Sequence, residues 1–133
     1  MIFGVANKRS IAWACALACY EHGAKLAFTY QGERLKENVE KLSAEMDGAT
    51  VVACDVTNQD EVETAFKTVK KVYGKLDFLI HSIAFAPREA LEGEFVTTSR
   101  EAFSTALEIS AYSLPQVALA ALPLMKDGGS IVT

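Results

Sequence analysis

The order of apolar and polar positions along the chain predicts alternating strands and helices. Five short, mostly apolar runs have the length and composition of strands. They cover residues 1–3, 25–30, 50–54, 76–83 and 129–133. The fourth run is almost continuously apolar, which is typical of a strand covered on both faces of a sheet. The stretches between these runs are longer, and their apolar residues recur with a different period.

Four stretches between the strands have helical periodicity. They predict helices over residues 10–22, over 33–46, from near Thr57 to Gly74, and from 98 to about 125. The apolar positions expected to face the core are Ile11, Ala14, Cys15, Ala18 and Cys19 in the first helix, Leu35, Val39, Leu42 and Met46 in the second, and Val62, Phe66, Val69 and Tyr73 in the third.

Local signals mark the starts of the last two helices and a break in the fourth. Thr57 with Asp60, and Thr98 with Glu101, have the spacing of capping boxes. Pro115 lies inside the fourth helix, where it removes one backbone hydrogen bond. We therefore expect that helix to be kinked or divided at Pro115.

The fourth helix is also long and apolar, with few charges after Glu108. A helix of this composition should be covered on more than one side. Two kinds of cover stay open, namely packing on the sheet and burial against a partner subunit, and we favour the second.

The strict alternation of strands and helices determines the expected fold. Strands that alternate with helices form a parallel sheet with right-handed crossovers. We expect an α/β, Rossmann-like, doubly wound parallel sheet of about five strands in the order 3-2-1-4-5, with four helices. Residues 1–133 are expected to form a single domain. Because the first and last strands are so short, we expect the chain to be truncated at both ends.

Composition and charge narrow the functional classes. The 133 residues carry a net charge of −4, so no basic surface for nucleic acid is indicated. No apolar run approaches the ~20 residues of a membrane span, and no secretory signal is present, which favours a cytoplasmic protein. Cys15, Cys19 and Cys54 form no metal-ligand pattern. We interpret them as small buried hydrophobes in a reducing compartment, with a redox or metal role as the alternative.

The end of the first strand carries the first candidate site. Gly4 allows a sharp turn without a Cβ clash, and Ser10 and Ile11 then begin a helix. The free N–H groups of a helix start suit a pyrophosphate. The second and third glycines of G-x-G-x-x-G are absent, so a glycine that only turns a strand into a helix is the alternative.

The ends of the second and third strands add polar groups. Gln31 stands where an acid often binds the ribose hydroxyls of NAD, and its amide can both donate and accept. Asp55 can accept a hydrogen bond from an adenine amino group, while Val56 offers an apolar contact. Asp55 as a simple turn residue is the alternative. Arg34 lies nearby, as does Lys36, so NADPH is not excluded, although we favour NADH.

The end of the fourth strand lies at the expected switch point of the sheet. Ser82, Ile83 and Ala84 are small or apolar residues against which a flat ring can lie. His81, on the strand itself, is interpreted as a core histidine with a backbone partner rather than a catalytic base.

Together these segments resemble the short-chain dehydrogenase/reductase superfamily and, within it, the bacterial-type NADH-dependent enoyl-acyl-carrier-protein reductases. The similar segments are residues 4–13, 28–31, 54–56, 81–86 and 109–113. Ordinary superfamily members carry T-G-x-x-x-G-x-G and N-A-G where this chain has the first and fourth segments. Ala111 departs from the serine that the family often has there, which puts in doubt only a polar contact at that helix.

The resemblance implies a function for each strand end. Its implied NADH-binding residues are Gly4, Ser10, Ile11, Gln31, Asp55, Val56, Ser82, Ile83 and Ala84. The wall beside the nicotinamide, where the enoyl substrate enters, is implied for Phe85, Ala86 and Leu91, with Ala84 at its edge. The implied reaction is hydride transfer from NADH to C3 of a trans-2-enoyl thioester held by acyl carrier protein.

The resemblance also bears on what the chain lacks. The family's catalytic tyrosine and lysine form a Tyr-x6-Lys motif after the fifth strand, so they are expected beyond Thr133 and no catalytic residue is named here. The chain would then be a dinucleotide-binding domain without the C-terminal catalytic half, and the complete enzyme a homotetramer. Another short-chain reductase, or a non-catalytic NAD(H)-binding module, stays open as the alternative.

Overall fold

The computed structural model describes residues 1–133 and contains one parallel sheet with helices on both faces. The strands are β1 (Ile2–Phe3), β2 (Ala27–Tyr30), β3 (Thr50–Ala53), β4 (Phe78–His81) and β5 (Ser130–Val132). The helices are α1 (Ile11–Glu21), α2 (Gly32–Ser43), α3 (Gln59–Tyr73), α4 (Arg100–Leu107) and α5 (Ser113–Ala121). Short 3-10 turns span Arg88–Ala90, Phe95–Thr97 and Leu122–Leu124, and a π-helical turn spans Glu108–Tyr112. The π turn joins α4 to α5, so these two form the predicted fourth helical segment.

The strand order is β3-β2-β1-β4-β5, and every pair is parallel, which confirms the predicted Rossmann-like topology. The register pairs Phe3 with His81 and Tyr30 with Ala53. Because parallel strands all end at one edge, the residues that follow these four positions lie along that edge. The predicted site residues are therefore brought to the same side of the sheet.

Two apolar clusters hold the helices against the two faces of the sheet. Neighbouring residues of β1 point to opposite faces. Ile2 belongs to the cluster under α1 and α2, and Phe3 belongs to the cluster under α3 and α5. Aromatic pairs anchor both layers, Trp13 on Phe28 at 6.1 Å and Phe3 on Phe66 at 6.3 Å between ring centroids.

The predicted buried face of α1 is wrong. Ala12, Trp13 and Ala16 are buried, whereas Ile11 is 77% exposed, Ala14 and Ala18 are exposed, and Cys15 and Cys19 are half-buried. Nearly every residue of α1 is apolar, so periodicity cannot choose a face. The choice is made by Trp13, because its large ring gains most from burial against Phe28. The predicted inward faces of α2 and α3 are confirmed, with Val39, Leu42, Val62 and Val69 buried.

The N-caps of α3 and α4 each lie one residue after the predicted caps, and the reciprocal backbone bond of a capping box forms at neither helix. The N-cap of α3 is Asn58, whose Oδ1 accepts from the backbone N–H groups of Asp60 and Glu61. The N-cap of α4 is Ser99, whose Oγ accepts from Ala102 N at 3.1 Å. In each case two adjacent polar residues could cap, and the second of them does so, with its backbone extended at the helix entrance.

Pro115 interrupts the fourth helical segment in the way its chemistry requires. Its nitrogen has no hydrogen, and its ring collides with the carbonyl four residues earlier in a regular helix, which is Ala111. The chain widens into the π turn Glu108–Tyr112 just before the proline. The turn rotates Ile109 and Ser110 toward the carboxyl edge of the sheet.

By length and composition alone, the segment Arg100–Leu124 could cross a membrane, although the sequence contains no uninterrupted apolar run of that length. One such helix is weak support for a membrane protein, because core helices of globular domains pass the same test. Here Val117, Ala121 and Leu124 are buried in the cluster shared with α3 and β4. One side of the segment is thus part of the domain core.

Candidate functional site

A cleft of about 320 Å³ opens where β1, β2, β3 and β4 end. Its size and position are typical of a small-molecule site in an open α/β sheet. The predicted site residues that line it are Gly4, Gln31, Asp55, Val56, Ser82, Ile83, Ala84 and Phe85. Ser10, Ile11, Ala86 and Leu91 do not line it. We call the part around Gln31, Asp55 and Thr57 the β2–β3 end, and the part formed by residues 82–86 the β4 end.

Gly4 lies between the two ends of the cleft and is in close contact with β4. Its φ is +96°, and a Cβ there would lie 1.8 Å from the Ser82 carbonyl oxygen. Any side chain at this position would therefore push β1 and β4 apart as well as strain the backbone. The glycine predicted from the turn is thus required by the contact with Ser82.

Ser10 organises the loop between β1 and α1. Its Oγ accepts from the backbone N–H groups of Ala6, at 3.0 Å, and Asn7, at 3.1 Å. The side chain makes no capping bond to α1, and the N–H groups of Ile11 and Ala12 donate to no protein acceptor. These two donors at a helix N-terminus are suited to an anion. The loop shape, rather than the Ser10 hydroxyl, presents them.

At the β2–β3 end, Gln31 and Asp55 contact each other. Gln31 Nε2 donates to Asp55 Oδ2 at 2.8 Å. The other carboxylate oxygen, Oδ1, accepts from Thr57 N at 2.9 Å and from Thr57 Oγ1 at 2.7 Å. Burial works to raise the pKa of the Asp55 carboxyl, but the hydrogen bonds from Gln31 and Thr57 outweigh it and lower the pKa. Asp55 is therefore ionised at neutral pH and accepts at both oxygens.

The backbone at the β2–β3 end is held by a side chain of α3. Glu61 Oε2 accepts from Asp55 N at 2.7 Å, and Glu61 Oε1 accepts from Asn58 Nδ2 at 3.1 Å. Asp55 is thus a turn residue and a cleft residue at once, so the two interpretations offered for it are compatible. Burial also raises the pKa of the neighbouring Cys54 thiol to about 12, so Cys54 lines the cleft as a neutral group.

The β4 end is held by the π turn. Ser110 Oγ accepts from Phe85 N at 3.0 Å and donates to Phe85 O at 3.1 Å. Phe85 is about half exposed and faces the cleft, whereas Leu91 is 73% exposed and lies outside it. The chain turns away after Phe85 into the segment with Pro87. Of the three residues predicted for the substrate side, the structure brings only Phe85 to the cleft.

His81 lies behind the β4 end as a buried residue. Its Nε2 is 2.7 Å from Ser113 Oγ, and its Nδ1 is 3.1 Å from Thr133 Oγ1. Ser113 Oγ donates to Ile109 O at 2.6 Å, so it must accept from His81, which assigns the proton to Nε2. Desolvation by burial lowers the pKa of His81, so the ring is neutral at neutral pH. His81 does not reach the cleft, in agreement with its interpretation as a core histidine, but its partners are side-chain hydroxyls and not the predicted backbone group.

Sequence reasoning missed several cleft residues, of which three are informative. Thr29 and Leu35 line the cleft from β2 and α2, and Ile109 lines it from the π turn. Leu35 had been expected only to face the core. Ile109 could have been found only from the consequence of Pro115, since an unbroken helix would carry it in another direction.

Comparisons with known proteins agree with this geometry. Residues 4–133 match the family described as Enoyl-(Acyl carrier protein) reductase. The chain belongs to this family. A relative from Bacillus subtilis, enoyl-[acyl-carrier-protein] reductase [NADH] FabI, is 48% identical over 135 residues, which span 100% of this chain and 52% of the relative.

Solved structures of family members also superpose on the chain. The enoyl-acyl carrier protein reductase of Bacillus cereus, solved with NADP+ and indole naphthyridinone, has a TM-score of 0.92 at 49% identity and covers 97% of this chain and 51% of that one. The reductase of Anaplasma phagocytophilum, in complex with NAD, has a TM-score of 0.92 at 41% identity and covers 98% and 50%. The chain therefore spans about half the length of the family members it matches.

Proposed function

We propose that this chain is the NADH-binding part, a single dinucleotide-binding domain over residues 1–133, of an enoyl-acyl-carrier-protein reductase of fatty acid biosynthesis. The observation that supports this most directly is the cleft at the carboxyl ends of β1 to β4 in a chain of this family. Relatives that bear the name of the NADH enzyme share close to half of its residues.

The residues around the cleft fit a dinucleotide. The unpartnered N–H groups of Ile11 and Ala12 would bind the pyrophosphate, beside the Cβ-free surface of Gly4. Gln31 would bind the adenosine ribose. Asp55 would accept from the adenine amino group, next to the apolar side chain of Val56. Ser10 contributes through the loop that it holds.

The β4 end would hold the reacting half of the cofactor. Ser82, Ile83 and Ala84 would lie along the nicotinamide, and Phe85 would separate it from the acyl chain. We keep Ala86, which is half-buried, and Leu91, which is exposed, as candidates for the outer substrate wall, since they follow Phe85 along the chain. NADH would supply the hydride that reduces C3 of a trans-2-enoyl thioester carried by acyl carrier protein.

Assembly is part of the same proposal. Large apolar side chains are exposed along the fourth helical segment, among them Phe103, Leu107, Leu119 and Leu122. Side chains of this kind on one segment are typical of a subunit interface. We propose that they pack against other copies of the chain in a homotetramer, in the cytoplasm, with the mass measured by light scattering as the test. A monomer at micromolar concentration would contradict it.

Titration with NADH tests the cofactor assignment. A tryptophan in place of Ala84, which is exposed at the cleft, should fill the space and weaken NADH binding at least about tenfold, since loss of ~1.4 kcal/mol has that effect. Ala18→Trp on the exposed side of α1 is the matched control and should bind like the wild type. Binding is measured by fluorescence, with circular dichroism to show that each protein is folded.

The outcomes separate the candidates. A folded protein that does not bind NADH would refute the proposal. NADH binding without reduction of a trans-2-enoyl thioester by the complete protein would favour a non-catalytic NAD(H)-binding module. Reduction of a ketoacyl substrate instead would favour another short-chain reductase.

A further inference from the structure

The hydrogen bond between Gln31 and Asp55 decides which way the Gln31 amide faces. Asp55 is ionised and can only accept, so the NH₂ group of Gln31 must be the side that faces it. The two groups are 2.8 Å apart. The other Gln31 group, the carbonyl oxygen Oε1, makes no hydrogen bond within the protein. Gln31 is exposed and lines the cleft, so it presents a hydrogen-bond acceptor there.

Asp55 itself cannot turn to relax this arrangement. Its Oδ1 is held by two donors from Thr57, one of which is a backbone N–H at 2.9 Å. The Asp55 backbone is held in turn by Glu61. Asp55 is therefore a fixed reference against which the Gln31 amide is oriented.

We propose that Asp55 is a positioning residue for cofactor selection, which acts by holding Gln31 with its carbonyl oxygen toward the adenosine ribose. A ribose 2′-hydroxyl can donate to this oxygen, whereas a 2′-phosphate offers mainly acceptors and is repelled by it. The inference rests on the proposed function, because it needs the ribose to lie beside Gln31. It explains a preference for NADH over NADPH by amide orientation rather than by an acid at this position.

A cation near the site favours NADPH, so a preference for NADH needs a group that opposes it. Arg34 also lines the cleft and forms no ion pair, so it is free to attract a 2′-phosphate. Lys36 is engaged with Glu33 at 3.5 Å. Family membership does not decide the cofactor either, since one related structure was solved with NADP+ and another with NAD. The orientation of Gln31 opposes the attraction of Arg34.

The substitution Asp55→Asn turns the amide around. The two Thr57 donors keep the oxygen of the new side chain at the Oδ1 position, so its NH₂ group replaces Oδ2 and faces Gln31. Two NH₂ groups cannot bond, and Gln31 must turn its carbonyl to residue 55 and its NH₂ to the ribose. The ratio of NADPH to NADH affinity should then rise about tenfold or more, as a donor replaces an acceptor beside a charged group.

The ratio of NADPH to NADH affinity reports on the contact with the adenosine ribose and not on contacts with the rest of the cofactor. Adenine and pyrophosphate are common to NADH and NADPH, so a lost adenine contact at Asp55 weakens both equally and leaves the ratio unchanged. Dissociation constants for both cofactors are measured by calorimetry on the complete protein. The control is a double-mutant cycle, because in a Gln31→Ala background Asp55→Asn should leave the ratio unchanged.

A second measurement covers the case in which Asp55→Asn does not fold. In the wild-type protein, the NMR signals of the Gln31 side-chain amide should shift with the titration of the Asp55 carboxyl, below its usual pKa of 3.8. Gln31 signals that ignore this titration, or an unchanged ratio in folded Asp55→Asn, would overturn the inference. If the folded wild-type protein binds neither cofactor, the proposed function fails instead, so the two failures are distinguishable.

Discussion

The two ends of the cleft differ in how far apart in the sequence their hydrogen-bonded residues lie. At the β2–β3 end, the hydrogen bonds of Asp55 with Thr57 and Glu61 link residues two and six positions apart, and the Gln31 bond spans 24. At the β4 end, Phe85 is held by Ser110, 25 positions away, across a π turn. The Asp55 turn at the first end is held by its own neighbours and receives Gln31 from the adjacent strand, whereas the second end depends on the shape of a distant helix.

This difference predicts which substitutions should disturb the site most. A substitution at the seam between the two ends should disturb both. One behind the β4 end should disturb the helix that supports it, and one at the Ser110–Phe85 contact should loosen that end alone. The expected effects decrease in that order.

Gly4→Ala should have the largest effect. The new Cβ would lie 1.8 Å from the Ser82 carbonyl oxygen at a φ of +96°, so β1 and β4 must separate. We expect a loss of about 4 kcal/mol in the free energy of unfolding, measured with urea. The matched control is Gly48→Ala, which has a φ of +74° and nothing within 4 Å of its Cβ, and which should cost about 1 kcal/mol. Equal losses in the two variants would show that backbone strain, not the β1–β4 contact, is what matters at Gly4.

His81→Ala should have the next largest effect. It leaves a cavity behind the β4 end and removes the donor to Ser113, which we expect to cost about 3 kcal/mol. His22, whose Nδ1 donates to the Ala18 carbonyl at an exposed helix end, is the control, and His22→Ala should stay within about 0.5 kcal/mol of the wild type.

The stability difference between wild type and His81→Ala should also depend on pH. Because burial lowers the pKa of His81 from its usual 6.5, the unfolded state binds the proton more readily than the folded state. The stability that the neutral ring provides is therefore complete above pH 6.5 and is lost as the pH falls below it. Urea unfolding from about pH 7.5 to about pH 5.5 should show the two proteins converging. A constant difference would mean that His81 stays equally protonated in both states.

The same contrast between local and distant contacts explains which features could be predicted. The strand order and the glycine turn follow from short-range patterns, since alternating strands and helices allow few topologies. Gln31 and Asp55 were placed correctly at the cleft because strands of a parallel sheet end at one edge. Their bond to each other was not predicted, because side chains that are suited to a ligand are equally suited to each other.

The errors lie where the composition of a helix cannot show which of its faces is buried, or where a residue distant in the sequence determines the local geometry. Every face of α1 is apolar, so the burial of Trp13 and not Ile11 depends on its contact with Phe28. Ile109 enters the cleft because Pro115 forces a π turn, and a helical period applied through the proline misplaces it. Leu91, assigned by resemblance to the substrate side, stays a prediction; in this structure the segment after Phe85 carries it outside the cleft.

Ser110→Ala should have the smallest effect and the most local one. It removes the acceptor for Phe85 N and the donor to Phe85 O, while the π turn persists because Pro115 is unchanged. We expect a loss of about 1 kcal/mol at most in global stability. The Phe85 amide, however, should exchange its hydrogen about tenfold faster, since the bond that protects it is gone. Ser104→Ala, at an exposed position of α4 with no side-chain hydrogen bond, is the control. Unchanged exchange at Phe85 in Ser110→Ala would mean that the β4 end keeps its shape without the Ser110 hydrogen bonds, and the contrast between the two ends would not hold.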